Sequence, residues 1–473
     1  MPFSLQPIPP ESKLTHLLQV PLLEELYPRE VVSELLTRCH AWEARERKLS
    51  QLLIVYYIIA LSLLRRLNVA KVFAQLCQAF SWLWPDPGLA LPTGSALCQR
   101  RAQLPTAVVR QLFRRCCRPL ATTQTKGAFA FGLRLMALDS TLDEVADTPS
   151  NAVHFGRLSS GPSQSPFPQV RCCYLAEVGT HALVDAVFAP AHRSEQELAP
   201  VLLRSLSNEM LLLFDRNFAG ASFLHRACLT GAQVLGRLAS NRYRRPERLL
   251  SDGSYLISLP AEQEDQPPLH LRVIEYRLQP LVAQELAEQP VSRTSAGSDP
   301  RQVHRLVTTL LDPQQAPALD LIVLYHQRWE IELCIDEIKT HQRLSSQPLR
   351  SQQPELVYQE CYGMLLAHYA VRAWMHRAAL QAELDPDRLS FTHAIQVLEA
   401  ATHEWALQAT QERPRLRRRL LAALSEPSCL LPQRRLRFCP RVVKRAWSSF
   451  KRKRPELQTL HYKGATFREL LLI

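Results

Sequence analysis

Between Tyr325 and Lys339 the chain reads Tyr-His-Gln-Arg-Trp-Glu-Ile-Glu-Leu-Cys-Ile-Asp-Glu-Ile-Lys. On an α-helix, which turns about 100° per residue, Tyr325, Arg328, Glu332 and Lys339 fall within about 60° of one another. An aromatic hydroxyl, a carboxylate and two cations then share one face. Ile331, Leu333, Cys334, Ile335 and Ile338 lie mostly elsewhere and can anchor the helix. One carboxylate flanked by two cations suits a metal ion together with a phosphate chain. Charged residues on a helix usually form only a solvated face with weak pairing, so this face alone does not decide the chemistry.

Two further acids stand where a site could form. Asp139 follows the apolar run Leu133 to Leu138, and Asp215 follows Met210 to Phe214. Both runs read as short strands, and strand ends of an α/β sheet are where sites gather. Phosphoryl transfer needs the phosphate held in line, an attacking oxygen activated and a leaving oxygen stabilised. Two divalent ions about 4 Å apart do all three, and hard cations take carboxylate oxygens. Each acid alone is weak, because an Asp after a strand is more often a turn or cap residue. Asp143, Asp147, Asp185 and Asp336 compete. Asp147 reads as part of a structural turn, and Asp336 is the substitute for Glu332.

The spacing Tyr-x2-Arg-x3-Glu-x6-Lys resembles the signature of the DDE transposases of bacterial insertion sequences, in the group named after insertion element four. The segments Asp147-Thr-Pro-Ser-Asn151, Ala152-Val-His-Phe-Gly156, Gln169-Val-Arg171, Glu177-Val-Gly-Thr-His181, Arg272-Val-Ile-Glu-Tyr-Arg277 and Leu311-Asp-Pro313 extend the resemblance over most of the chain. It implies an RNase H-like core in which Asp139, Asp215 and Glu332 hold two Mg²⁺ ions, with Mn²⁺ as a substitute. Asp139 bridges the ions and the other two acids hold one each. Tyr325, Arg328 and Lys339 would contact backbone phosphate near the cleavage point, with Arg216 and His326 as additional contacts. The implied activity is cleavage at the inverted-repeat ends of an insertion sequence and strand transfer into target DNA, by a homodimer on DNA. Two departures stand out. Asn217 occupies a place where the family often has Gly, and Asn tolerates left-handed backbone better than most residues. All seven Trp lie outside 236–316, whereas some relatives stack a flipped base on a Trp of that region; Tyr243, Tyr255 and Tyr276 are the possible stand-ins. Two rivals stay open: a catalytically inactive DNA-binding descendant of a transposase, and an RNase H-like nuclease that never joins strands.

The elements that must position these residues divide the 473-residue chain into a multidomain α/β protein. The expected division is an N-terminal all-α DNA-binding domain over 1–125, a catalytic core over 126–235 and 317–385, a β-rich insertion over 236–316, and a helical C-terminal region with a basic tail over 386–473. Pro92 to Arg101 predicts a capped helix with basic residues in its second and third turns, either a DNA-reading element or a surface helix of an all-α domain. Leu49 to Leu64 predicts a buried helix, too short to span a bilayer comfortably. Strands are expected at 170–178, 182–188, 256–259, 269–278 and 303–310, and helices at 195–206 and 354–382. A net charge of +13 favours a polyanionic partner. Between Arg413 and Arg454 only Glu426 opposes fifteen Lys and Arg residues, with Trp447 and Phe450 among them, a composition suited to phosphate. The twelve cysteines include no Cys-x2-Cys, which argues against a zinc site and for reduced cytoplasmic thiols.

Overall fold

A computed structural model describes residues 20–43, 49–64, 67–74, 76, 91–160, 163–238, 246–260, 268–278, 303–343, 347–407, 410–433, 435 and 471–472. Most of the expected basic tail and the loops 261–267 and 279–302 lie outside the described residues. The chain forms two compact units. The first comprises Met1–Ala128, Asp139–Ser205 and Ile331–Pro432, the second Phe129–Leu138, Leu206–Glu330 and Gln433–Ile473.

In the first unit, helix Gln51–Leu63 starts at Ser50, whose hydroxyl accepts from the Leu53 amide at 3.3 Å. It is apolar on every side and buried from Leu53 to Ser62, as expected of a core helix. It packs along the 28-residue helix Pro354–Gln381, where Tyr362, Tyr369 and Trp374 are core residues. Gly363 lets the two backbones approach: a Cβ there would lie 2.7 Å from Ile58 Cγ2 and 3.0 Å from the Ile58 carbonyl. Gly363→Ala should therefore cost about 1–3 kcal/mol through overpacking, measured as a lower urea midpoint.

Polar ties reinforce this packing. Tyr27 Oη donates to the Leu366 carbonyl at 2.6 Å, and Tyr369 Oη to that of Arg118 at 2.9 Å. The helix expected within Pro92–Arg101 forms as Gly94–Ala102, and Thr93 caps it. Its arginines differ from the expectation. Arg100 is buried and donates to the Leu49 carbonyl at 2.7 Å, while Arg101 reaches the Leu356 carbonyl at 2.6 Å and Ser351 at 3.0 Å. Both bind protein instead of facing outward, because guanidinium groups satisfy backbone carbonyls as readily as phosphates.

The sheet of this unit holds the distal half of strand Leu133–Glu144 beside the antiparallel pair Gln169–Glu177 and Leu183–Pro190, in register Cys172↔Phe188 and Cys173↔Val187. Helix Glu195–Leu202 covers this pair. The first strand does not end at Leu138 as expected; Asp139 sits within it. Asp-Ser-Thr reads locally as turn chemistry, but the neighbouring strand keeps supplying partners, and pairing overrides propensity. Farther along, helices Phe391–Leu407 and Arg413–Leu424 pack on the long helix, with Trp374 and Trp405 edge-on at 5.7 Å.

In the second unit, the proximal half of the same strand runs parallel to Met210–Phe214 in register Met136↔Leu212 and Ala137↔Leu213. Met210–Phe214 is parallel to Gln233–Arg237. His304–Thr308, Leu269–Leu278 and Tyr255–Leu259 follow in antiparallel order. The β-rich stretch thus extends the same sheet laterally. Leu319 to Leu324 lies in a helix, Ala318–Tyr325. The expected α-helix through Lys339 is instead a run of changing pitch: a 3₁₀ turn at His326–Trp329, α-helix at Glu330–Asp336 and π-helix at Glu337–Gln342. No helix among the described residues is long and apolar enough to cross a membrane.

Candidate active site

Asp215 leaves the strand Met210–Phe214 and caps the 3₁₀ turn Arg216–Phe218, its Oδ1 accepting from the Arg216 amide at 2.6 Å. Asn217 is not among the residues with positive φ, so the turn makes no demand for glycine. Tyr325 is fixed beside it: its buried hydroxyl donates to the Phe214 carbonyl at 3.2 Å. Burial pushes that hydroxyl's pKa far up, with Arg328 opposing and Asp215 adding to the rise. The hydroxyl assigned to phosphate is therefore held by backbone in this structure. Arg328 follows Tyr325 by three residues, a spacing at which side chains of a 3₁₀ turn eclipse. It is buried, with its guanidinium 5.2 Å from the centre of the Trp329 ring.

In the first unit Asp139 Oδ1 accepts from the Ser140 amide at 2.8 Å, and the Ser140 hydroxyl donates to the Glu195 carboxylate. Burial raises the Cys173 thiol pKa, and the Glu195 and Asp139 charges raise it further, so both acids act on the same buried thiol. Sequence reasoning passed over Glu195. Its signal was local: a carboxylate one residue after the helix-capping Ser194.

Lys339 joins the two elements that matter most. Its Nζ donates to Thr141 Oγ1 at 2.7 Å and to the Leu142 carbonyl at 2.7 Å, and lies 3.3 Å from Asp143. It thereby ties the helical run carrying half-buried Glu332 to the strand carrying Asp139.

The competing acids are otherwise engaged. Asp143 is buried and accepts from Arg343 at 2.7 Å. Asp185 takes two bonds of 2.8 Å from Arg204 and one of 2.7 Å from Ser205. Asp147 pairs with Arg157, in keeping with a structural turn. Asp336 is exposed and bonds Thr340. Cys334, Glu337 and His368 have ligand atoms within 4.8 Å of one another, but Arg372 donates to Glu337 with both Nε and its terminal nitrogen. A resident guanidinium makes that cluster an ion-pair site, not a cation site.

Comparison with known proteins identifies the family. The family model described as insertion element 4 transposase N-terminal matches residues 17–114, and that described as transposase DDE domain matches residues 130–369. The transposase InsG for insertion sequence element IS4, from Escherichia coli strain K12, is 28% identical over 422 residues, covering 88% of this chain and 90% of its own. The putative transposase InsZ of the same strain is 27% identical over 214 residues, 43% of this chain and 66% of its own. The solved piggyBac transposase synaptic complex with hairpin DNA aligns over 90% of this chain and 88% of that chain, at 12% identity and a TM-score of 0.41. With the Tyr325–Lys339 spacing and half the chain matched by the catalytic-domain family model, this protein belongs to the insertion element 4 family of DDE transposases, enzymes that move DNA.

Proposed function

We propose that this transposase cleaves DNA at the inverted-repeat ends of its own insertion sequence and joins the freed 3′ ends to target DNA, with Asp139, Asp215 and Glu332 as its metal-holding acids. The observation that carries this reading is the Lys339 tie, which brings the Glu332 helix to the Asp139 strand. The order of strand, antiparallel pair, helix and parallel strand fits an RNase H-like core.

The donor set suits a divalent cation. It consists of carboxylate oxygens alone, and two competitors, Asp143 and Asp185, are already claimed by arginines. Asp139 would be shared between two Mg²⁺ or Mn²⁺ ions, with Asp215 and Glu332 holding one each. Bound there, the ions supply Lewis-acid activation of the attacking oxygen and relief of charge on the leaving one. Arg328 forks onto phosphate oxygens and Lys339 adds a compact charge, so that the scissile link is held still. Tyr325 keeps the Asp215 turn in place through the Phe214 carbonyl. The N-terminal helices over 1–125 and the basic C-terminal region over 386–473 hold the ends, two chains pair two ends, and the protein works in the bacterial cytoplasm.

The test is a duplex bearing the terminal repeats that flank the gene. With Mg²⁺ it should be nicked and then joined to a target plasmid. Chelation with EDTA should abolish both reactions and leave end binding intact. End binding with no strand breakage in Mg²⁺ or Mn²⁺ would instead identify an inactive descendant. Nicking without joined products would identify a nuclease.

A further inference from the structure

Behind the catalytic helix lies a buried group of charges that the chemistry above does not use. Glu337 opens the π-helical segment and is 6% exposed. Arg372 Nε donates to its carboxylate at 2.8 Å, His368 Nε2 lies 2.9 Å away and His181 Nδ1 3.0 Å away. His368 and Arg372 are one turn apart on the long helix Pro354–Gln381, and the ring of Phe391 covers both at 5.2 and 5.5 Å. Burial lowers the His368 pKa to about 3, so that ring stays neutral and Arg372 carries the balancing charge. His181 stands at the turn of the strand pair with a left-handed φ of 57°, and Cys334 Sγ donates to its carbonyl at 3.3 Å. A left-handed non-glycine residue persists only where its surroundings fix it.

A buried ion pair is weak evidence for stability, because desolvation consumes much of the attraction. Its clearer use is to select one conformation. The conformation here is the π-turn, whose wider loop is visible in the Arg343 amide bonding the Ile338 carbonyl five residues back at 2.9 Å. A π-turn advances roughly 15–20° less per residue than an α-turn. Over Glu337 to Lys339 that swings Lys339 by roughly 30–40° relative to a regular helix. In that phase its ammonium meets Thr141 and the Leu142 carbonyl, two and three residues beyond Asp139.

We propose that Glu337 is a positioning residue for strand cleavage: its pairing with Arg372 and two histidines holds the π-turn that sets Lys339 against the strand of Asp139. This inference rests on reading Lys339 and Asp139 as parts of the active site, and the experiment separates the two ideas. Single-turnover nicking of a terminal-repeat duplex with Mg²⁺ is measured for wild type, Glu337→Gln, Lys339→Ala and the double variant, with the dissociation constant for the duplex measured alongside. Glu337→Gln should slow nicking about tenfold or more and change duplex affinity less than about threefold. In the Lys339→Ala background the same substitution should cost less than about twofold, because its route of action is already gone.

Equal slowing in both backgrounds would overturn the inference and leave the active-site reading standing. So would wild-type nicking by Glu337→Gln. Wild-type nicking by Lys339→Ala would remove Lys339 from the site and this inference with it. If Glu337→Gln fails to fold with Arg372 unpaired, Glu337→Gln/Arg372→Gln, which removes both charges and keeps amide hydrogen bonds, takes its place in the same cycle with the same criteria.

Discussion

Replacing Glu332 by Gln, or Asp139 or Asp215 by Asn, should lower single-turnover nicking of an end-bearing duplex by about a thousandfold or more, roughly 4 kcal/mol of transition-state stabilisation. The amides keep the size of the acids and lose the anionic oxygens that hold a hard cation. In the proposed reading the acids hold ions and not DNA, so affinity for the duplex should stay level or rise slightly as negative charge near phosphate is removed. Gel shifts and nicking assays on the same preparations separate these effects. Asp336→Asn is the control: its carboxylate is exposed and bonds Thr340, so nicking should remain near the wild-type rate. A Glu332→Gln enzyme that nicks normally, beside an inactive Asp336→Asn, would transfer the role to Asp336.

The largest expected loss of stability comes from Arg272→Met. Arg272 is wholly buried in the second unit; it donates to Ser254 Oγ at 2.7 Å and to the Ala316 carbonyl at 2.6 Å, and pairs with Asp252. Asp252 in turn accepts from the Ala318 amide at 3.1 Å, at the start of helix Ala318–Tyr325. Methionine fills part of the space, takes the cation from Asp252 and removes the N–H groups that Ser254 and the Ala316 carbonyl accept from. Removing one partner of a buried pair costs about 3–5 kcal/mol, which thermal or urea unfolding would register. Burial alone would raise the Asp252 pKa, but the Ser254 bond and the Arg272 charge outweigh it and hold the carboxyl below its ordinary value. A group depressed in the folded state lends stability above its unfolded pKa, near 4, and loses it as pH falls through the folded value. Arg272→Met should therefore also flatten the acid limb of the stability profile below about pH 4. An unchanged urea midpoint at pH 7 would refute this account of Arg272.

The parts of this chain legible beforehand are those with strong local periodicity or a long-range spacing pattern. Met210–Phe214 and Leu269–Leu278 fall where their apolar runs place them, and the buried helix Gln51–Leu63 is written in an apolar run interrupted only by Gln51 and Ser62. What escaped depends on partners distant in sequence. The strand through Asp139 continues because a neighbouring strand pairs with it, which the local Asp-Ser-Thr does not reveal. Arg100 and Arg101 look like outward cations until the carbonyls of Leu49 and Leu356 appear beside them. The changes of pitch between Tyr325 and Gln342 are equally hidden, since the spacing of this face fits a regular α-helix and carries no mark of the 3₁₀ turn and π-turn. The network on Glu337 has no sequence pattern, because its donors come from positions 181, 368 and 372.

The close approach at Gly363 carries a lesson for dissecting this enzyme. Helix Gln51–Leu63 has no polar face of its own; it is insulated from water by a helix that the ribosome makes about three hundred residues later. Tyr27, Arg101 and Arg118 make their hydrogen bonds to that same late helix. A peptide cut near residue 125 would expose an oily cylinder and several stranded polar groups. During synthesis, the first helices must wait, shielded or loosely collapsed, until the far end of the chain arrives to complete them.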